Sequence, residues 1–477
     1  MTPSGEVISR ANEEFPQHLP QPGWVEHDPD ELYDSVLHAI ARCLQGAFPG
    51  AVDRIAALGI TNQRETTLLW DRGSAQPVYR ALVWQDRRTT DICEQYKKHQ
   101  PRINEVTGLV VDPYFSASKI KWLLDQDPTL AARAQQGLLC FGTVDSYLIH
   151  RLANWSNCSS VIEMTNASRT LLMDLRSRTW SEEMCELWGI PLAILPQIRP
   201  TVGEFARTQG VPGLPDGIPI TGVAGDQHAA LFGQGCVEVG QAKCTYGTGA
   251  FILANTGSRP IKNDRGLLTT LAWQIGEQPT YALEGAAFIA GAAVQWLRDG
   301  LGLISSAAEI EALAASVTSS EGVSFVPALT GLGAPHWDPN ARGLICGLTR
   351  GTSRAHIARA TLEGISFQVC ELLELMNDSL REGLSELRVD GGASRNNLLL
   401  QIQANHCGLP VHRPSEIEST ARGAGLLAAL GAGIIPTVTE AARSIQVERI
   451  FSPNWDIERR RLERLAWEQA VTRARCC

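Results

Sequence analysis

The chain has 477 residues, more than one hydrophobic core normally supports, so two large domains are expected. Hydrophobic residues make up 44 % and charged residues 19 %, an ordinary globular balance, and a net charge of −9 without a basic stripe argues against nucleic-acid binding. No apolar run reaches the roughly 18 residues of a membrane span. The N-terminus lacks a signal-peptide pattern, and the twelve cysteines show no CxxC or Cys/His ligand spacing, which fits reduced thiols in the cytoplasm. The only close cysteine pair is Cys476–Cys477, and the N-x-[ST] triplets at Asn154, Asn157 and Asn166 read as chance matches without a secretory signal.

In chain order, residues 1–20 are polar, with a short strand expected at Glu6–Ser9. A helix follows: Asp28 supplies the N-cap, Pro29 the first helical position and Glu31 a capping-box carboxylate, with Tyr33, Leu37, Ile40 and Leu44 on one face. Ile55–Ile60 reads as a buried strand, and a second strand is expected at Thr66–Trp70. Between them lies the polar run Thr61, Asn62, Gln63, Arg64, Glu65. An adjacent Arg–Glu pair at a strand end is either a surface ion pair or a donor and an acceptor placed to hold a small polyol, whose hydroxyls need both.

Residues 85–140 are expected to be mostly helical. Asp112-Pro113 marks a turn, Tyr114 reads as a packing residue, and Ile120, Leu123 and Leu124 begin an amphipathic helix. Thr201–Gly217 is a Gly/Pro-rich connector. The stretch Ile218–Ala224 is short, apolar and β-branched, as suits a buried parallel strand, and it ends at Gly225 before Asp226 and Gln227. A carboxylate at such a tip can be a general base, a metal ligand or the N-cap of the next helix.

A domain boundary is expected near Gly235, dividing the chain into residues 1–235 and 236–477. Ala242–Tyr246 and Ala250–Ala254 form a hairpin about Gly247, Thr248 and Gly249, a turn that can serve as an anion nest or only as a turn. Gly291–Asp299 is helical, with Gln295 one turn after Gly291, and a long amphipathic helix covers Ser353–Asn377. The strand Leu387–Asp390 meets Gly391 and Gly392 before a helix over Ser394–Asn405, a geometry open to a nucleotide but equally to a plain strand–turn–helix. Together these elements describe two α/β lobes with polar residues gathered at strand ends, as in a two-domain phosphotransferase.

Nine runs carry a resemblance: PGWVEHD (Pro22–Asp28), GITNQRETT (Gly59–Thr67), WQDRRT (Trp84–Thr89), DPYFSASKIKW (Asp112–Trp122), TNASRT (Thr165–Thr170), AGDQHAALFGQ (Ala224–Gln234), YGTGAF (Tyr246–Phe251), GLGAPHWDP (331–339) and VDGGASRNN (Val389–Asn397). With these the chain resembles the FGGY carbohydrate kinases, within the actin/hexokinase/Hsp70 ATPase superfamily, and NQRET and DPYF point to the glycerol-phosphorylating members. The resemblance implies a two-lobed, ribonuclease H-like α/β fold with a central cleft, and ATP and Mg²⁺ as cofactors. Asp226 would be the catalytic base, with Arg64, Glu65, Tyr114 and Gln227 beside it for glycerol; Trp84 is a candidate apolar wall. Thr248, Gly291, Gln295, Gly392 and Asn396 would serve ATP. Homodimers or homotetramers are common among similar enzymes.

The resembled family opens with a strand, a phosphate-binding turn of the form DQGTTSSR and a second strand, whereas Ser4–Phe15 looks like the segment after them. A late start codon, a truncated gene product and a chain that no longer catalyses are the three readings. The first leads one to expect a GTTS-type loop in frame upstream; without one, weak ATP binding and little activity are expected. His228 stands where the family often has a glutamine and Glu163 where an aspartate is usual, and Gln209–Gly217 lacks the Gly-rich basic loop of fructose-1,6-bisphosphate-inhibited relatives. Another FGGY sugar kinase, or a binding protein without turnover, are the competing functions.

Overall fold

The computed structural model describes residues 1–153, 160–338 and 340–475. The triplets at Asn154 and Asn157 and the Cys476–Cys477 pair lie outside these residues. Asn166 is fully buried and hydrogen-bonded to Asn62, so its triplet is a packing feature.

The first lobe begins with helix α1 (Pro29–Gln45), capped by Asp28, whose carboxylate accepts the Asp30 and Glu31 amides. Glu31 does not return the capping-box bond and instead meets His18 at 2.8 Å. Strand β1 (Leu58–Asn62) follows, then β2 (Leu68–Asp71), α2 (Ser116–Gln126) and β3 (Leu139–Gly142), with β2 and β3 paired antiparallel. Strands β4 (Val202–Arg207) and β5 (Pro219–Gly225) complete a three-stranded sheet of order β4-β5-β1, and helix α3 (Asp226–Gly233) leaves directly from β5. Two further expectations fail here. Glu6–Ser9 forms no strand, because among the described residues no strand lies alongside to satisfy its backbone. The connector Thr201–Gly217 hides β4, an edge strand that the sequence disguises because only one face of it is covered.

The second lobe is a seven-stranded sheet. Its strands are β6 (Gln241–Tyr246), β7 (Ala250–Gly257), β8 (Leu268–Ile275), β9 (Gln278–Ala287), β10 (Glu386–Asp390), β11 (Val411–Pro414) and β12 (Val447–Phe451), in the order β8-β9-β7-β6-β10-β11-β12. Its longer helices are α4 (Gly291–Asp299), α5 (Arg354–Ser379), α6 (Asn397–Cys407), α7 (Ser419–Gly431) and α8 (Ile457–Arg475). The hairpin β6–β7 has the expected register, Tyr246 opposite Ala250. Alternation along these strands sorts the side chains. Cys244, Tyr246, Ile252, Ala254 and Leu283 enter the core beneath α5, while Lys243, Thr245, Phe251 and Glu284 occupy the opposite face. No described helix is long and apolar enough to cross a membrane.

The lobes meet through glycine. Helix α7 packs so closely on α3 that a Cβ on Gly423 would lie 1.8 Å from the Ala229 carbonyl oxygen and one on Gly233 2.0 Å from that of Ser419. On the first sheet, Gly59 and Gly222 face the α7 backbone with the same lack of room, at 2.2 Å from the Ala424 oxygen and the Ala428 nitrogen. The Thr221 hydroxyl donates to the Ala428 carbonyl at 2.8 Å.

Candidate active site

Strand β5 ends at Gly225, whose amide donates to the Thr165 hydroxyl at 2.9 Å. A side chain on Gly225 would strike Arg64 at 2.6 Å, so the glycine lets that arginine pass the strand tip. Gly225 is also the N-cap of α3, which makes Asp226 the first helical residue and removes the simple N-cap reading of its carboxylate. Asp226 Oδ1 accepts the Gln227 amide at 2.7 Å and lies 3.2 Å from Arg64 Nε. Among the described residues Oδ2 has only a long contact, 3.4 Å, from the Gln227 side chain. The side chain is 35 % exposed, and Oδ2 is its more weakly held oxygen.

Around this carboxylate the structure gathers Arg64, Glu65, Tyr114 and Gln227. Arg64 is buried and donates to the Tyr114 hydroxyl at 3.3 Å. Glu65 has φ 59°, a left-handed conformation that costs a side-chain-bearing residue about 1–3 kcal/mol. Its carbonyl is held there by the hydroxyls of Thr67 and Ser116, each at 3.0 Å. Tyr114 sits in an Asx turn, its amide donating to Asp112 at 2.8 Å. Buried Lys119 spans the same turn, donating to the carbonyls of Pro113, Tyr114 and Phe115. Burial lowers the Lys119 pKa to about 8. The Trp84 ring lies 5.8 Å from Tyr114 and 6.3 Å from Phe251, both edge-on, forming an aromatic wall between the lobes.

Second-lobe residues reach this set from one face of the sheet. Lys243 donates to Gln227 Oε1 and, at 2.8 Å, to Thr245. Burial pulls the Lys243 pKa down, against the attraction of Asp390. Glu284 accepts both ends of the Arg64 guanidinium, at 2.6 and 3.0 Å, and Arg169 at 3.0 Å. Burial alone would raise the Glu284 pKa; the two arginines hold it down at about 2. His228, beneath this cluster, is kept neutral first by burial and then by Arg64. Lys243, Phe251, Arg169 and Glu284 were not singled out from the sequence. The signal was there for two of them: a lysine in the buried strand QAKCTY and a glutamate in YALEGAA are costly unless paired.

The other expected residues cluster at the carboxyl ends of the parallel strands β6 and β10. In the turn after β6, the Thr248 carbonyl accepts the Ala290 and Ala292 amides at 2.8 and 3.1 Å, docking the start of α4 on the hairpin. Gly291 donates to the Gly247 carbonyl at 3.0 Å, and its own Cβ would lie 2.5 Å from that oxygen. Gln295 follows on α4. After β10, Gly391 has φ 83° and lies against the Tyr246 carbonyl, whereas a Cβ on Gly392 would meet nothing within 4 Å. That open surface is a floor on which a nucleotide can lie against backbone. Asn396, expected inside a helix, is the N-cap of α6 and accepts the Leu399 amide at 2.9 Å; residues Gly392–Arg395 form a 3₁₀ turn instead.

The description "FGGY family of carbohydrate kinases, N-terminal domain" matches residues 1–233, and its C-terminal counterpart matches residues 242–432. The chain belongs to the FGGY carbohydrate kinases, in their glycerol kinase branch. Among FGGY relatives, the glycerol kinase of Myxococcus xanthus is 52 % identical over 473 residues, covering 98 % of this chain and 95 % of that protein. That of Bdellovibrio bacteriovorus is 50 % identical with the same coverage. The crystal structure of Plasmodium falciparum glycerol kinase with ADP superposes with a TM-score of 0.90 at 34 % identity, covering 97 % of this chain and 92 % of that one. A Lactobacillus acidophilus xylulose kinase, 22 % identical with a TM-score of 0.84, shares the FGGY fold.

Proposed function

We propose that the chain transfers the γ-phosphoryl group of ATP to a terminal hydroxyl of glycerol, giving sn-glycerol 3-phosphate, with Asp226 as the general base. The observation that carries this reading is Asp226 Oδ2 at the strand tip, on a part-exposed side chain, next to buried Arg64 and Glu65 and half-buried Tyr114, a set able to give and accept hydrogen bonds. Arg64 and Gln227 donate to the alcohol and Glu65 accepts from it, while Trp84 and Phe251 face its carbon chain. Oδ2 orients the attacking hydroxyl and receives its proton. The Thr248 turn, Gly291, Gln295, Gly392 and Asn396 bind the nucleotide from the other lobe. Glycerol binding then belongs to residues 1–235 and nucleotide binding to residues 236–477. The matched spans, 1–233 and 242–432, support that division.

Mg²⁺ fits this site through its chemistry. Among the described residues no three His, Cys, Asp or Glu side chains converge as a metal cage. A cation that keeps its waters and enters on the nucleotide's phosphates needs only one or two carboxylates, and Asp226 is the exposed one available. When bound, Mg²⁺ neutralises charge on the transferring phosphoryl group.

A panel of acceptors tests the substrate. With ATP and Mg²⁺, glycerol is expected to give the highest kcat/KM, dihydroxyacetone less, and xylulose and ribulose less than about one-hundredth of it. A pentulose outperforming glycerol would assign the chain to another sugar.

A further inference from the structure

Arg64 and Glu65 are themselves held from behind. Arg169 donates from Nε to Glu65 at 2.6 Å and from its terminal nitrogen to Glu284 at 3.0 Å. Glu284 in turn forks onto Arg64, and all four side chains are at most 2 % exposed. The two arginines and two glutamates balance in charge, so none can turn away without stranding a partner in a dry interior. Glu284 stands on β9 of the second lobe, whereas Arg64, Glu65 and Arg169 belong to the first.

Resting on the glycerol-site reading above, we propose that Glu284 is a positioning residue for the acceptor. From the second lobe it fixes the pose of Arg64, and through Arg169 that of Glu65, so the alcohol pocket is complete only when the lobes are docked. Arg64 has competing anions at 3.2 Å (Asp226) and 3.9 Å (Glu65). Without Glu284 it turns toward them, and the side chains that should face glycerol satisfy each other instead. The ammonium of Lys243 reaches Gln227 from the same sheet face, so neither donor is placed by the first lobe alone.

A mutant cycle over Glu284→Gln, Arg64→Ala and the double variant tests this. Glu284→Gln is expected to raise the KM for glycerol about 10- to 100-fold, the scale seen when a residue orienting a ligand-holding group is lost. The KM for ATP stays within about twofold, and in the Arg64→Ala background the same change raises the glycerol KM by a clearly smaller factor, because only the route through Arg169 to Glu65 is left. Glu284→Asp, which keeps the charge and draws it back by one carbon, gives a smaller rise in the same parameter and serves should the glutamine variant fail to fold. A fall in kcat with both KM values unchanged, or an equal rise in both backgrounds, would make Glu284 only a tie between lobes and overturn the proposal. An Arg64→Ala variant with normal glycerol KM overturns the glycerol site itself; a damaged Arg64→Ala beside silent Glu284 variants overturns this inference alone.

Discussion

Asp226→Asn is expected to lower kcat by about 10²- to 10⁴-fold, or about 3–5 kcal/mol of barrier, while leaving the fold intact. The asparagine is isosteric, and its carbonyl oxygen can keep both the Gln227 amide and Arg64 Nε, the two partners of Oδ1. What disappears is Oδ2, the oxygen with nothing but a 3.4 Å contact among the described residues. An amide there can neither take a proton nor attract a divalent cation. Because Arg64, Glu65 and Tyr114 are untouched, the KM for glycerol should move far less than kcat. Steady-state kinetics with both substrates varied separates the two parameters; near-normal turnover would remove Asp226 from its role.

The second large effect is structural. Gly423→Leu puts a branched side chain where even a Cβ lies 1.8 Å from the Ala229 carbonyl oxygen and 3.0 Å from the Gly233 nitrogen. Both neighbours are backbone of α3, so no rotamer relieves the clash and one helix must move. Overpacking of this kind costs about 3 kcal/mol or more. Since α3 begins at Asp226, the shift reaches the active site, and activity should fall along with the denaturation midpoint. Gly50→Asn is the control: φ is 78° there, nothing lies within 4 Å, and asparagine tolerates that conformation, so the midpoint should change by less than about 1 kcal/mol equivalent.

The local parts of this site were legible in the sequence because their physics is local. A β-branched run ending in Gly225 makes a strand tip, Gly247-Thr248-Gly249 makes a hairpin turn, and Gly391-Gly392 after a short strand makes an open floor; each formed where expected. Long-range placement was not legible. Glu284 opposes Leu253, and Leu253 opposes Lys243, only because the remote strand β9 shares one register with the β6–β7 hairpin. The hydrophobic pattern of YALEGAA announces a buried strand but not which guanidinium will neutralise its glutamate. Val202–Arg207 escaped for another reason: an edge strand covered on one side reads as polar connector until its partner is known. Glu6–Ser9 had strand composition but lies beside no strand, and composition alone does not satisfy backbone.

In the proposed mechanism the Asp226 carboxylate meets an alcohol held by the first lobe opposite a triphosphate held by the second. The most direct measurement is a crystal structure with glycerol, Mg²⁺ and a non-hydrolysable ATP analogue. The result expected is a terminal glycerol oxygen within about 3 Å of Asp226 Oδ2, its other hydroxyls on Arg64 and Glu65, and the γ-phosphate between Asp226 and the Thr248 turn. Glycerol bound away from Asp226, or a triphosphate that does not approach Thr248 and Gly392, would contradict it.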